Sequence, residues 1–187
     1  LCFGLTLFSC AGKFYTYKLA VIEPQKNDNM TFENDTMKVV FNFTHKGLVF
    51  NMYNKINEGI KINWDELSLS WNGNAQRVVH KETGILKTTD LQPPTTIPPY
   101  SNLSDILIPT DYITTYYLRG QPTPLVMNVF TDADKNKKEL GKKFLANKGK
   151  TASIYMPYYI KGQFYSKTFV FIITDVMVSK FSPSYKK

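Results

Sequence analysis

Four side chains in one stretch of the chain have the right types for site chemistry: Asp65, Arg77, His80 and Asp105. An arginine beside a carboxylate can hold an anionic or carbonyl ligand, and an imidazole beside a carboxylate can move a proton. Spacing narrows both options. Arg77 and His80 stand three apart in the predicted strand A-Q-R-V-V-H, so their side chains leave on opposite faces. The expected role of Arg77 is therefore a bidentate bridge between strands, to Asp65 or Asp105, with His80 at a strand end. Structural ion pairs produce such constellations as readily as active sites do. His45 and His80 are the two histidines, and neither has a neighbouring cysteine or a carboxylate spacing suited to a metal. A serine-histidine-aspartate reading needs a nucleophile turn, and none is visible. The expectation is no enzyme, no metal and no cofactor.

Two further sets are binding candidates. Lysines gather at Lys135, Lys137, Lys138, Lys142, Lys143, Lys148 and Lys150. They form either a solvated loop or a face for anionic lipid headgroups, where each lysine contributes about 1 kcal/mol. Aromatic residues, among them Trp71, Tyr112, Tyr116, Tyr117, Tyr155, Tyr158 and Tyr159, either stack on carbohydrate or fill the core and pair across strands. Nucleic acid is not expected as a partner. The net charge is +8, yet of the 23 basic residues only Arg77 and Arg119 are arginine, and arginine is the residue that reads phosphate bidentately.

The elements that must position these groups are strands. Leu48, Phe50 and Met52 alternate with Val49, Asn51 and Tyr53, and Ile60, Ile62 and Trp64 alternate with Lys61, Asn63 and Asp65. Period-two alternation on both sides of an Asn/Glu/Gly segment predicts a central antiparallel hairpin. Asn72-Gly73 predicts a tight turn. The four prolines of P-P-T-T-I-P-P-Y-S (93–101) remove backbone donors and fix φ, so this corner should run extended along an edge or across the open end of the sandwich. Leu140, Phe144 and Leu145 give a thin apolar stripe for at most one short helix near 134–146. Phe169, Phe171 and Ile173 alternate with Val170, Ile172 and Thr174, which suits a strand covered on both faces. With aromatic residues at 14% of 187, the expectation is an all-β antiparallel sandwich of about nine or ten strands, in one domain over 14–187.

The first ten residues, L-C-F-G-L-T-L-F-S-C, read as the surviving part of a secretory signal. Leu7-Phe8-Ser9-Cys10 resembles the bacterial lipobox, which implies cleavage before Cys10 and diacylglycerol on its sulfur. Residues 1–9 are then signal, 10–13 the lipidated cysteine and tether, and the mature domain has no cysteine left for a disulfide.

A wider resemblance follows from combined motifs. Asn54-Lys55, I-K-I-N-W-D (60–65), Gly73, R-V-V-H (77–80), the proline corner through Asp105 and Ile108-Pro109 lie in one order. With G-K-T-A-S-I-Y-M-P (149–157) and F-V-F-I-I-T (169–174), they resemble a family of uncharacterised Bacteroidetes-type lipoproteins. That resemblance implies an immunoglobulin-like β-sandwich at the cell envelope, outer-membrane anchored and facing the periplasm, because no acidic run follows Cys10. It brings no settled activity and no functional residues. The expected function is a non-catalytic binding or scaffolding module with a protein or glycan partner; the alternative is a carbohydrate-binding module on an exposed aromatic face.

Overall fold

A computed structural model describes residues 14–44, 46–80, 90–119, 121–126 and 142–179. The strands are β1 (Phe14–Glu23), β2 (Thr31–Glu33), β3 (Met37–Thr44), β4 (Gly47–Asn54), β5 (Ile60–Ile62), β6 (Ser68–Trp71) and β7 (Asn74–Val79). There follow β8 (Thr95–Ile97), β9 (Asn102–Pro109), β10 (Ile113–Leu118), β11 (Gln121–Val126), β12 (Thr151–Ile160) and β13 (Gln163–Ser179). Two 3-10 turns, Trp64–Glu66 and Thr110–Tyr112, interrupt them. Of the expected helix, the described part is one helical turn at 142–145.

The protein is mostly antiparallel β. Eleven strands share one hydrogen-bonded sheet in the order β1-β13-β12-β6-β7-β9-β4-β3-β2, with β5 paired to β12 and β8 to β5. The ends of that path approach each other. Val21 of β1 exchanges backbone hydrogen bonds with Asn27 at 2.9 and 3.0 Å, and the Asn27 amide donates to the Thr31 carbonyl of β2 at 2.7 Å. The sheet is thereby nearly closed and barrel-like. β10 and β11 form a separate two-stranded ribbon.

The strand number exceeds the expected nine or ten because β2 and β8 are three-residue segments, too short for alternation to announce them, and because the 3-10 turn at Trp64–Glu66 separates β6 from β5. A second difference concerns the central hairpin. β4 pairs with β3 and β9, whereas β5 pairs with β12 and β8, so residues 55–59 cross between two halves of the sheet instead of turning back. Alternation reports which face of a strand is buried, not which strand lies beside it. Asn54 at the crossover is fully buried. Its amide donates to the carbonyls of Glu58, Ile97 and Pro98 at 2.7, 3.2 and 2.9 Å, tying the crossover to the proline corner.

Inward residues follow the alternation. Phe41, Leu48, Phe50, Met52, Ile60, Ile62, Ile154, Phe169 and Phe171 are all buried in one cluster. Burying each large side chain contributes roughly 1.5–3 kcal/mol against exposure. The Asn72-Gly73 turn joins β6 to β7 as expected, with φ of 50° and 84°. Gly47, at the start of β4, has a different reason: a Cβ there would come within 2.4 Å of the Leu107 carbonyl oxygen on β9. Among the described residues β8 pairs with β5 alone, which puts the proline corner at an edge. The two halves of the sheet meet between β7 and β9 through two residue pairs, Val78–Pro109 and Val79–Ile108.

Candidate functional site

The polar residues singled out in the sequence converge on that short seam. His80 follows β7 and is 3% exposed. Its Nδ1 lies 3.1 Å from Asp105 Oδ2 on β9, and the other Asp105 oxygen accepts from the Ile106 N–H at 2.7 Å. The Trp64 indole stacks on the imidazole at 4.3 Å and 10°, and its Nε1–H donates to Thr95 Oγ1 at 2.8 Å. Arg77 bonds the other carboxylate: its Nη2 donates to Asp65 Oδ1 at 2.8 Å and to the Asp90 carbonyl at 2.6 Å.

Gln92 joins the two systems. Its backbone N–H donates to Asp65 Oδ2 at 3.1 Å, its Oε1 accepts from the His80 N–H at 3.1 Å, and its Nε2 donates to the Val78 carbonyl at 2.9 Å. Sequence reasoning missed Gln92 and Asn54. Neither has a spacing signal, because each acts on carbonyls and N–H groups brought near by the fold. Among the described residues, no hydroxyl or thiol bonds the His80 ring, and no three His, Cys, Asp or Glu residues group to hold a metal. What the arrangement does chemically is fasten the segment after Asp90 onto the seam.

Removing one fastener should loosen that segment selectively. Arg77→Ala is expected to cost about 1 kcal/mol, since both partners of the ion pair are partly solvated. Hydrogen exchange at the Gln92 N–H should accelerate, while amides of β3 and β4 stay protected. Unchanged exchange at Gln92 would remove Arg77 from this role.

Outside the seam, the outward face of the sheet carries an aromatic ridge. Tyr155 and Tyr159 lie on one face of β12, and Phe164, 50% exposed, stands opposite Tyr159 across the hairpin with β13. The Tyr159 and Phe164 rings meet edge to face, 5.5 Å apart at 69°. The Tyr159 hydroxyl donates to the Glu66 carboxylate at 3.1 and 3.2 Å. Desolvation first, and then that carboxylate, push its phenol pKa up. Beside the ridge lies an open groove of about 480 Å³, whose lining includes Lys61, Asn63 and Tyr159 together with Leu91, Pro93 and Pro94. Leu91 is 85% exposed there.

The remaining sequence candidates scatter. Trp71 is half-buried, its ring 6.0 Å from Tyr17, so it offers no open platform. Tyr117 is exposed on the β10–β11 ribbon. Tyr116 is opposite Thr123 there, but its side chain lies outside the described residues. Lys142 and Lys143 are exposed on the helical turn. Cys10, His45, Lys137 and Lys138 lie outside the described residues.

Comparison with family models, curated proteins and solved structures finds no match to this chain.

Proposed function

We propose that this protein is a non-catalytic binding module of the bacterial cell envelope, anchored through lipid on Cys10 and facing the periplasm from the outer membrane. The resemblance to envelope lipoproteins belongs to the proposal. So does the reading of the two sheet halves as an immunoglobulin-like sandwich, which the short β7–β9 seam favours.

One observation carries the binding role: the Tyr155–Tyr159–Phe164 ridge beside a groove edged by Leu91, Pro93 and Pro94. Exposed apolar surface gathered in this way marks interaction sites. The partner is a protein segment. A sugar platform needs rings lying in one plane, and Tyr159 and Phe164 stand at 69° to each other. The carbohydrate-binding reading remains the alternative, on the strength of the Tyr155 and Tyr159 faces.

Two measurements test the reading. In cells, a photo-crosslinking residue in place of Phe164 should give a discrete protein adduct, and the same probe at Val40 should not. Absence of the Phe164 adduct overturns the protein partner, and glycan binding abolished by Tyr159→Ala transfers the site to the alternative. For the address, Cys10→Ala should move the chain from the membrane to the soluble fraction. A variant that still pellets as the parent does ends the lipid anchor.

A further inference from the structure

Pairing registers put four outward side chains in one row across the sheet, beside the groove. Thr96 of β8 stands opposite Lys61 of β5, Lys61 opposite Tyr159 of β12, and Tyr159 opposite Phe164 of β13. Directly opposed residues share a face, and neighbouring strands lie about 4.8 Å apart. The row is therefore graded: a hydroxyl, an ammonium, a phenol ring and a phenyl ring follow one another within about 14 Å.

The ammonium is the charge that this surface leaves unmatched. Asp65 accepts from the Arg77 guanidinium and from the Gln92 N–H. Glu66 accepts from Asn63 Nδ2 at 2.7 Å and from the Tyr159 hydroxyl, a bond that also steadies the ring. Lys161, at the tip of the β12–β13 hairpin, is matched by Glu58 at 2.7 Å. Lys61 is exposed and lines the groove, and among the described residues no carboxylate lies within ion-pair distance of it.

We propose that the groove and ridge select an extended protein segment in which a carboxylate stands two residues from a large apolar side chain. The carboxylate meets Lys61, and the apolar side chain enters the angle between Tyr159 and Phe164. Two residues of extended chain span roughly 6.6 Å, which carries the second side chain past the near ring and short of the far one. The two rings, 5.5 Å apart at 69°, receive an aliphatic or aromatic group there. Pro93 and Pro94 of the lining have no N–H to donate, so the segment is held by its side chains and not as an added strand. This inference rests on the ridge being the binding surface, and it adds what the partner must carry.

The test pans the full chain against phage-displayed random peptides. The expected result is enrichment of sequences with Asp or Glu two positions from Leu, Ile, Phe or Trp. An enriched peptide, made synthetically, should bind Lys61→Gln about tenfold more weakly than the parent, the loss of one charge-assisted hydrogen bond. Its affinity for the parent should fall as salt rises. Panning on Lys61→Glu should turn the selected charge to Lys or Arg, whereas Lys46→Glu, between β3 and β4, should change nothing. Enrichment without an acidic residue overturns the proposal, as do acidic peptides whose affinity ignores Lys61 or falls equally with Lys46→Glu. If such peptides are still lost with Phe164→Ala, the ridge stands as the protein site and the acidic preference alone fails. Peptides indifferent to both Lys61 and Phe164, or no enriched peptide at all, overturn the ridge reading as well.

Discussion

Trp64→Ala will lower the unfolding free energy by about 3–5 kcal/mol. The indole is fully buried. It stacks on His80 at 4.3 Å, stands 6.3 Å from the Phe50 ring and donates to Thr95. Alanine would leave a cavity where β5, β8 and the seam converge, and the surrounding strands can collapse into it only in part. Total stability for a domain is about 5–15 kcal/mol, so the loss should be visible as a large fall in the urea midpoint. Trp64→Phe separates the contributions. It keeps much of the ring packing and removes the Thr95 hydrogen bond, at a smaller cost of about 1–2 kcal/mol. A loss below about 1 kcal/mol for Trp64→Ala would mean that the indole does not organise this region.

The second large effect belongs to Asp105. Alanine there strips the acceptor from His80 Nδ1 and from the Ile106 N–H together, in a site where both side chains of the pair are under 5% exposed. Leaving a buried donor without a partner costs about 1–3 kcal/mol, so Asp105→Ala should lose about 2–4 kcal/mol. Asp105→Asn retains an acceptor oxygen and should lose less. The damage should be local before it is global. Only two residue pairs join β7 to β9, so exchange of the Val79 and Ile108 amides should accelerate first. A cost within the roughly 0.5 kcal/mol range of surface substitutions would show that the pair does not hold the seam.

Much of the fold was legible because burial alternates with period two. Leu48, Phe50 and Met52 face the core as their spacing requires, as do Ile60 and Ile62, and Asn72-Gly73 makes the turn that its positive φ values demand. Pairing was not legible. Leu48 to Met52 and Ile60 to Ile62 lie on different halves of the sheet, and nothing local distinguishes a hairpin from a crossover when both bury one face. The polar seam was half legible. Arg77 and Asp65 could be matched by type, but the link between Asp65 and His80 runs through Gln92, whose side chain bonds backbone groups remote in sequence. The aromatic ridge was present as composition, with Tyr155 and Tyr159 among the candidates. Its third member, Phe164, becomes relevant once the hairpin places it opposite Tyr159.

β13 is seventeen residues long, and it joins two chemically different ends of the molecule. Phe164 lies near its start and Val176, packed on the lysine turn, near its finish, a contour separation of roughly 40 Å at strand rise. The field of a surface charge fades over about 8–10 Å at physiological ionic strength. Along the strand, the ridge is several such lengths from the lysine turn. Removing charge from the turn should therefore leave recognition at the ridge unchanged.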